Sequence, residues 1–195
     1  MSFTEPSAIE VAVNPFLNRT LLAPYHNALV RRLKLRVDEN VLDYGSGCGV
    51  LSGKIARALH PSGALTCVDI SRLWLETARK ELRRFANVSF CLGEIGALDL
   101  KPGSYDLVFM HFVLHDLPAD GRLPVIQRLA GLLKPGGALF LREPVNPSHG
   151  MPAAEIQSLM RQAGLQQVEC VQEKIALIGE VTTGRFVVAS NASPG

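Results

Sequence analysis

The chain has 195 residues, of which 47% are hydrophobic and 19% charged, a composition typical of a globular protein with one sizeable core. Its net charge of +2 does not favour a nucleic-acid partner, which usually meets a strongly basic surface. No uncharged apolar stretch reaches the roughly 18 residues that span a bilayer, and the N-terminal residues lack the pattern of a secretory signal, so we expect a cytoplasmic protein. The four cysteines show no CxxC pair or zinc-like spacing, so we expect reduced thiols and no metal site.

Strands and helices alternate along the sequence, which is typical of a mostly parallel sheet covered on both faces. Residues 1–38 are predicted to form a helical segment, a possible lid, ahead of a single domain at 39–190 and a loose tail at 191–195. The first five predicted strands are Val41–Tyr44, Ala64–Asp69, Val88–Leu92, Tyr105–Met110 and Ala138–Arg142.

Helical periodicity fills the intervals between most of these strands. Ser71 is placed to cap the helix after the second strand. The next predicted helix carries the stripe Ile126, Leu129, Ala130 and Leu133. The KPGG at 134–137 is predicted to end that helix, with a glycine for a left-handed turn. A further helix is followed by two β-rich runs, QVECVQEKIALI and RFVVAS, which lie close enough in sequence to pair antiparallel.

A glycine-rich turn, GSGCG at 45–49, follows the first strand and precedes a helix. Such a turn presents backbone N–H groups and the positive end of a helix to a ligand, and glycine allows close approach. Asp69 ends the second strand, where a carboxylate can accept hydrogen bonds from both ribose hydroxyls. The pattern predicts a nucleoside site at the ends of these two strands.

A nicotinamide-binding unit would show much of the same pattern. The dehydrogenase spacing GxGxxG is absent from residues 45–52, GSGCGVLS. Asp43 directly precedes the turn, and a carboxylate there suits a ligand with an ammonium and a sulfonium better than a diphosphate. An NAD-dependent oxidoreductase therefore remains the alternative, and a cationic ligand is favoured.

The ordered motifs resemble those of class I S-adenosylmethionine (SAM)-dependent methyltransferases over about residues 40–190. LDYGSGCG resembles the family's first motif, VDIS its ribose-binding acid, CLGEIGALDL its third motif, YDLVFMHFVLHDL its fourth and LAGLLKPGGALFLREP its fifth. The resemblance implies an α/β, Rossmann-like, doubly wound sheet of seven strands in the order 3-2-1-4-5-7-6, with only the seventh antiparallel. It also implies SAM as the cofactor and S-adenosylhomocysteine as the product.

The resemblance assigns roles to individual residues. The acid that meets the adenine amino group corresponds to Glu94, the backbone that meets the ring to Ile95, and a backbone contact with the methionine end to His111. The implied cofactor-binding set is Asp43, Tyr44, Gly45, Ser46, Gly47, Cys48, Gly49, Asp69, Ile70, Gly93, Glu94, Ile95 and His111.

The fourth motif lacks the Asn/Asp-Pro-Pro-aromatic run of enzymes that methylate nucleobase or glutamine nitrogens. The sequence therefore favours a small-molecule acceptor, reacting at oxygen, nitrogen or carbon, and leaves metabolite, quinone and lipid-like acceptors open. The protein would act as a monomer or homodimer. A non-catalytic methyltransferase-like protein that only binds the nucleoside is a further alternative.

His115 is the candidate general base, because an imidazole titrates near neutral pH and because His115 and Asp116 resemble the His-Asp pair of small-molecule O-methyltransferases. Its alternative role is to pack the start of a helix. Glu143, at the end of the fifth strand, is expected to be a solvated strand end, with contact to substrate as the alternative.

Overall fold

A computed structural model describes residues 5–59, 62–146 and 150–189, so the predicted tail at 191–195 lies outside the described residues. The helices are α1 (Ala8–Arg19), α2 (Ala23–Leu33), α3 (Val50–Leu59), α4 (Arg72–Leu82), α5 (Ala119–Leu132) and α6 (Ala153–Gln162). The strands are β1 (Asn40–Tyr44), β2 (Ala64–Asp69), β3 (Val88–Leu92), β4 (Tyr105–His111), β5 (Leu133–Pro144), β6 (Leu165–Ile175) and β7 (Gly179–Val188). A short 3-10 helix spans Leu114–Asp116.

The strands form one mixed sheet in the order β3-β2-β1-β4-β5-β7-β6. The pairs β1 with β2, β2 with β3 and β4 with β5 are parallel, whereas β7 runs antiparallel to β5 and β6. The fold class predicted from the resemblance is therefore confirmed, including the antiparallel pairing of the two C-terminal runs. The chain divides into two compact units, Met1–Leu98 and Asp99–Gly195, and each is described by itself below.

The first unit contains α1 to α4 and the parallel strands β1 to β3. A capping box begins α1, since Ser7 accepts the Glu10 N–H at 3.2 Å and Glu10 accepts the Ser7 N–H at 2.8 Å. Ser71 caps α4 as predicted, because its hydroxyl accepts the Trp74 N–H at 3.0 Å. Strand β1 buries Val41 and Leu42 completely, which is why its apolar run lacks alternation.

The second unit contains β4 to β7, α5 and α6. Leu133 was predicted on the helix stripe of α5, which is wrong: it begins β5 and pairs with Tyr105. The physical reason is Pro135, which disfavours helical geometry at Lys134 and so ends the helix early. Pairing resumes between Leu107 and Ala138, so residues 134–137 form a bulge. Gly136 has the predicted left-handed backbone, with φ 75°.

Within the described ranges, every helix is too short or too polar to cross a lipid bilayer.

Candidate functional site

The glycine-rich turn after β1 is held against β2 by a backbone hydrogen bond. The Gly45 N–H donates to the Val68 carbonyl at 2.8 Å. Gly47 has φ 53°, and a Cβ there would meet no atom within 4 Å, so its surface faces open space. Gly49 has φ 80°, and a Cβ there would lie 2.8 Å from Cα of Ala78 in α4. The two glycines therefore have different tasks: Gly47 leaves room beside the turn, and Gly49 lets α4 approach it.

Asp69, the last residue of β2, ties the turn to the start of α4. Its Oδ2 accepts the Gly47 N–H at 2.8 Å, and its Oδ1 accepts the Ser71 N–H at 2.9 Å. Burial raises the pKa of Asp69, and these two hydrogen bonds act in the opposite direction. Each carboxylate oxygen retains capacity for a further donor, which is what a ribose diol supplies.

Asp43 lies buried beneath the turn. The Ser52 hydroxyl, in the first turn of α3, donates to its Oδ2 at 2.6 Å. Burial raises the pKa of Asp43 to about 7, although the hydrogen bond from Ser52 lowers it. A nearby cation would favour the ionised form, so this carboxyl group can respond to a positively charged ligand. The sequence interpretation did not single out Ser52.

Besides Asp43 and Asp69, the implied cofactor-binding side chains of Tyr44, Cys48 and Ile95 are buried in the first unit. Burial, followed by the charges of Asp69 and Glu94, raises the pKa of Tyr44 to about 12, so it stays a neutral phenol. Burial also raises the pKa of the Cys48 thiol, which keeps it protonated.

The segment after β3 follows a sharp change of direction at Gly93, whose φ is 139° and whose N–H donates to the Asp69 carbonyl at 3.0 Å. Glu94 is exposed, and so is Ile70 after β2. The exposed acid, the Asp69 carboxylate and the open face of Gly47 all belong to the first unit. Their donor and acceptor properties fit the nucleoside that the resemblance implies.

Glu5 makes a contact that the sequence did not reveal. Its Oε1 accepts the Arg72 N–H at 2.9 Å, and its Oε2 accepts the hydroxyl of Ser71. The carboxylate therefore lies at the positive end of α4. Its hydrogen bonds lower the pKa of Glu5, and the bond from the Ser71 hydroxyl has the largest effect. The N-terminal segment reaches the residues next to Asp69, and its role as a lid stays a prediction.

In the second unit, His115 and Glu143 form a hydrogen-bonded pair. Nδ1 of His115 lies 2.7 Å from Oε2 of Glu143, and Nε2 lies 3.3 Å from Oδ1 of Asp116. Burial by itself lowers the pKa of His115, but the hydrogen bond and charge of Glu143, with that of Asp116, outweigh burial and raise it above 6.5. The pair has the arrangement of a carboxylate that orients an imidazole.

Glu143 is completely buried, so its predicted place as a solvated strand end is wrong. Its Oε1 accepts the N–H groups of Val113 and Leu114 at 3.0 and 2.9 Å. The carboxylate caps the 3-10 helix that carries His115, and the hydrogen bonds from this helix offset the cost of burying its charge. One residue thus fixes both the backbone and the ring of His115.

A cleft of about 640 Å³ lies beside this pair. It is lined by Phe112, His115, Asp116, Pro144, Val145, Asn146, Ile178, Gly179 and Glu180. Phe112 has φ 58°, a left-handed conformation that is strained for a bulky side chain, and its ring stacks on His111 with centroids 4.2 Å apart. The cleft has the size of a small-molecule site and a mixed polar and apolar lining.

The chain folds as an α/β protein with a glycine-rich turn and a buried carboxylate, Asp69, at the ends of its first two strands. Residues 35–186 match the family model described as a methyltransferase domain, and the chain belongs to this family. The predicted family, with SAM as its cofactor, is therefore confirmed, and the nicotinamide-dependent alternative is not supported.

The sequence is also similar to individual proteins with related names. Carboxy-S-adenosyl-L-methionine synthase of Chromohalobacter salexigens is 29% identical over 157 residues, covering 76% of this chain and 57% of that protein. Demethylmenaquinone methyltransferase of Tropheryma whipplei is 32% identical over 125 residues, covering 64% of this chain and 50% of that protein. The chain thus spans about half the length of these curated relatives.

Among solved structures, the N-methyltransferase NodS from Bradyrhizobium japonicum WM9, in complex with S-adenosyl-L-homocysteine, has a similar fold. Its TM-score is 0.68 at 21% sequence identity, and the match covers 85% of this chain and 86% of that one. At this identity the likeness supports the fold.

Proposed function

We propose that the protein is a SAM-dependent methyltransferase that acts on a small-molecule acceptor. The observation that carries the proposal is the Asp69 carboxylate, which bonds to Gly47 of the glycine turn and keeps acceptor capacity for a ribose. This cradle lies inside the region that matches the methyltransferase domain family. In this proposal the carboxylates that recognise the methyl donor belong to the first unit, and the cleft proposed for the acceptor belongs to the second unit.

Three carboxylates of the first unit divide the recognition of the donor. Asp69 accepts hydrogen bonds from the ribose hydroxyls, and the exposed Glu94 accepts one from the adenine amino group. Asp43 supplies negative charge beneath the turn, toward the ammonium end of the ligand. When bound, the cofactor supplies a methyl group activated by its sulfonium, and the protein contributes orientation and exclusion of water.

The cleft of the second unit supports a compact, partly polar acceptor. Phe112, Val145 and Ile178 contribute apolar surface, whereas polar groups come from His115, Asp116, Asn146 and Glu180. The name of the Tropheryma whipplei relative refers to a quinone acceptor, and a polyprenyl quinone or lipid would favour a lining that is mostly apolar. The mixed lining therefore favours a metabolite-sized acceptor.

His115 is the proposed proton acceptor. In the neutral imidazole, donation from Nδ1 to Glu143 leaves Nε2 as the hydrogen-bond acceptor. Nε2 would then take the proton that a hydroxyl or amine acceptor loses when its oxygen or nitrogen bonds to the methyl carbon, the bond from that carbon to sulfur breaks, and S-adenosylhomocysteine leaves. Because the pKa of His115 is raised, the neutral form becomes dominant only above pH 6.5, and activity should increase with pH through that range.

A direct test incubates the purified chain with methyl-labelled SAM and a panel of small phenols, amines and carboxylic acids. Mass spectrometry then follows S-adenosylhomocysteine and the methylated product. We expect one class of acceptor to be methylated, with turnover reduced at least about tenfold in His115→Gln. The variant Asp120→Asn, at an exposed position outside the cleft lining, is the matched control and should retain full turnover. Binding of SAM without turnover of any acceptor in the panel would contradict the proposal and favour the non-catalytic alternative.

A further inference from the structure

We propose that the cleft of the second unit selects acceptors that carry an ammonium group on an apolar or aromatic body, and that it rejects carboxylates and phosphates. This inference rests on the proposed function, because it assigns the chemical class of the molecule that would be methylated. It concerns recognition of the charged group and not the atom that receives the methyl group.

Apart from the imidazole of His115, the ionisable side chains that line the cleft are carboxylates. Asp116 and Glu180 both contribute to the lining, and the Asp116 side chain is 60% exposed. The lining contains no lysine or arginine among the residues that the structure describes. A cationic ligand is attracted to two carboxylates of this kind, and an anionic ligand is repelled by them.

Arg122 and Arg142, two arginines near the lining in sequence, donate to other partners. Arg122 donates to Glu155 Oε1 at 2.6 Å and to the His115 carbonyl at 3.2 Å. Arg142, which is buried, donates to Thr183 Oγ1 at 2.8 Å. Neither guanidinium belongs to the lining of the cleft, so neither supplies the fork that a carboxylate or phosphate would require.

Phe112 adds an independent observation. Its left-handed backbone is strained, and it is held by donation of its N–H to the Arg142 carbonyl at 2.9 Å. Its ring stacks on His111 and meets His115 edge to face, with centroids 6.5 Å apart. A fixed aromatic ring beside two carboxylates is a suitable surface for an ammonium group, because the ring face attracts cations.

The remaining apolar lining accounts for the rest of the ligand. Pro144, Val145 and Ile178 offer hydrocarbon surface but no donor or acceptor side chain. A ligand with an ammonium group at one end and an apolar or aromatic body matches a lining made of carboxylates and apolar side chains. A phosphate group matches neither the carboxylates nor the apolar side chains of the lining.

Two phenols of similar size and opposite charge provide the test. Tyramine carries an ammonium where 4-hydroxyphenylacetate carries a carboxylate. Isothermal titration at pH 7.5, with the full chain saturated with S-adenosylhomocysteine, would give a dissociation constant for each. We expect tyramine to bind at least about tenfold more tightly, with the preference weakening as salt is added.

Variants identify the residues responsible. In the double variant Asp116→Asn with Glu180→Gln, the preference for tyramine should fall to within about twofold, whereas Asp120→Asn should keep it. Phe112→Leu should weaken tyramine binding several-fold, and Phe112→Tyr, which keeps the ring, should retain most of it. Thermal stabilisation of each variant by S-adenosylhomocysteine shows that the variant is folded.

The outcomes separate this inference from the function on which it rests. If S-adenosylhomocysteine does not bind to the unmodified chain, the proposed function itself is wrong. If it binds but tyramine has no advantage over 4-hydroxyphenylacetate, including the case in which neither phenol binds, the inference alone is wrong. A preference that persists in the double carboxylate variant also overturns it.

Discussion

Oε2 of Glu143 lies 2.7 Å from Nδ1 of His115, and Oε1 of the same carboxylate accepts the Leu114 N–H at 2.9 Å. A single buried side chain therefore fixes both the imidazole and the 3-10 helix that carries it. In a neutral His115, this arrangement makes Nε2, which lies 3.3 Å from Oδ1 of Asp116, the ring nitrogen that can accept a proton. The relationship makes the protonation of His115 directly dependent on Glu143.

Replacement of Glu143 by Gln should lower the pKa of His115. The variant loses the negative charge of Glu143, which helps to outweigh burial, so we expect the pKa of His115 to fall. NMR titration of the His115 ring resonances measures this value. Asp116→Asn is the control: its carboxylate is farther from the ring and largely exposed, so the decrease should be smaller. An unchanged His115 pKa in Glu143→Gln would show that the carboxylate does not set it.

Two glycine substitutions should separate ligand binding from folding. Gly47→Ala adds a methyl group that meets no neighbour, so the free energy of unfolding should fall by only about 1 kcal/mol, from the left-handed backbone. Affinity for SAM should nevertheless fall strongly, since the methyl group occupies the open face beside Asp69. Gly49→Ala should instead cost several times more stability, because its Cβ would lie 2.8 Å from Cα of Ala78. Urea unfolding and titration with SAM distinguish the two effects, and equal losses of stability would contradict this division.

His26 should make the protein sensitive to acid. Burial, with a contribution from Lys54, lowers its pKa to about 4 from an ordinary value of 6.5. As the pH falls from 6.5 toward 4, the unfolded chain therefore takes up a proton before the folded one does, and stability is lost, by about 3 kcal/mol in total. His26→Leu should lose less stability than the unmodified protein between pH 7 and pH 4.5. Urea unfolding at both pH values measures the difference, and parallel losses would exclude His26 as the cause.

Asp43 should release a proton when SAM binds. Its pKa of about 7 leaves about half of the molecules protonated at neutral pH, and a nearby ammonium or sulfonium favours the ionised form. The heat of binding at pH 7 should therefore differ between phosphate and Tris buffers, which have different ionisation enthalpies. The difference should disappear in Asp43→Asn, and also at pH 9, where the carboxyl group is already ionised. Identical heats in both buffers at pH 7 would show that Asp43 does not respond to the ligand.

The strands of the sheet could be predicted from the sequence because their signals are local. Ala64–Asp69 and Val88–Leu92 have the predicted bounds, and apolar runs without alternation identified the buried strands. The start of β5 was predicted less well. Its bulge at 134–137 depends on how the strand pairs with β4, which no local pattern records.

The candidate site was predictable only in part, because some of its contacts join residues that are far apart in sequence. The glycine turn and Asp69 follow from spacing, since both lie at the ends of neighbouring parallel strands. Glu143 bonds to groups about thirty residues away, and Glu5 contacts Ser71 across a separation of 66 residues. Tertiary packing decides such pairings. The burial of Glu143 and its hydrogen bonds to the 3-10 helix therefore could not be predicted from the sequence.

The proposed function depends most directly on a nucleoside ligand held by Asp69 at the turn. Isothermal titration with S-adenosylhomocysteine should detect saturable binding to the unmodified chain, weakened at least about tenfold in Asp69→Asn. Glu76→Gln, an equal loss of charge at an exposed position of α4, should leave the affinity unchanged. Absence of binding to the unmodified chain, or equal affinity in Asp69→Asn, would contradict the account.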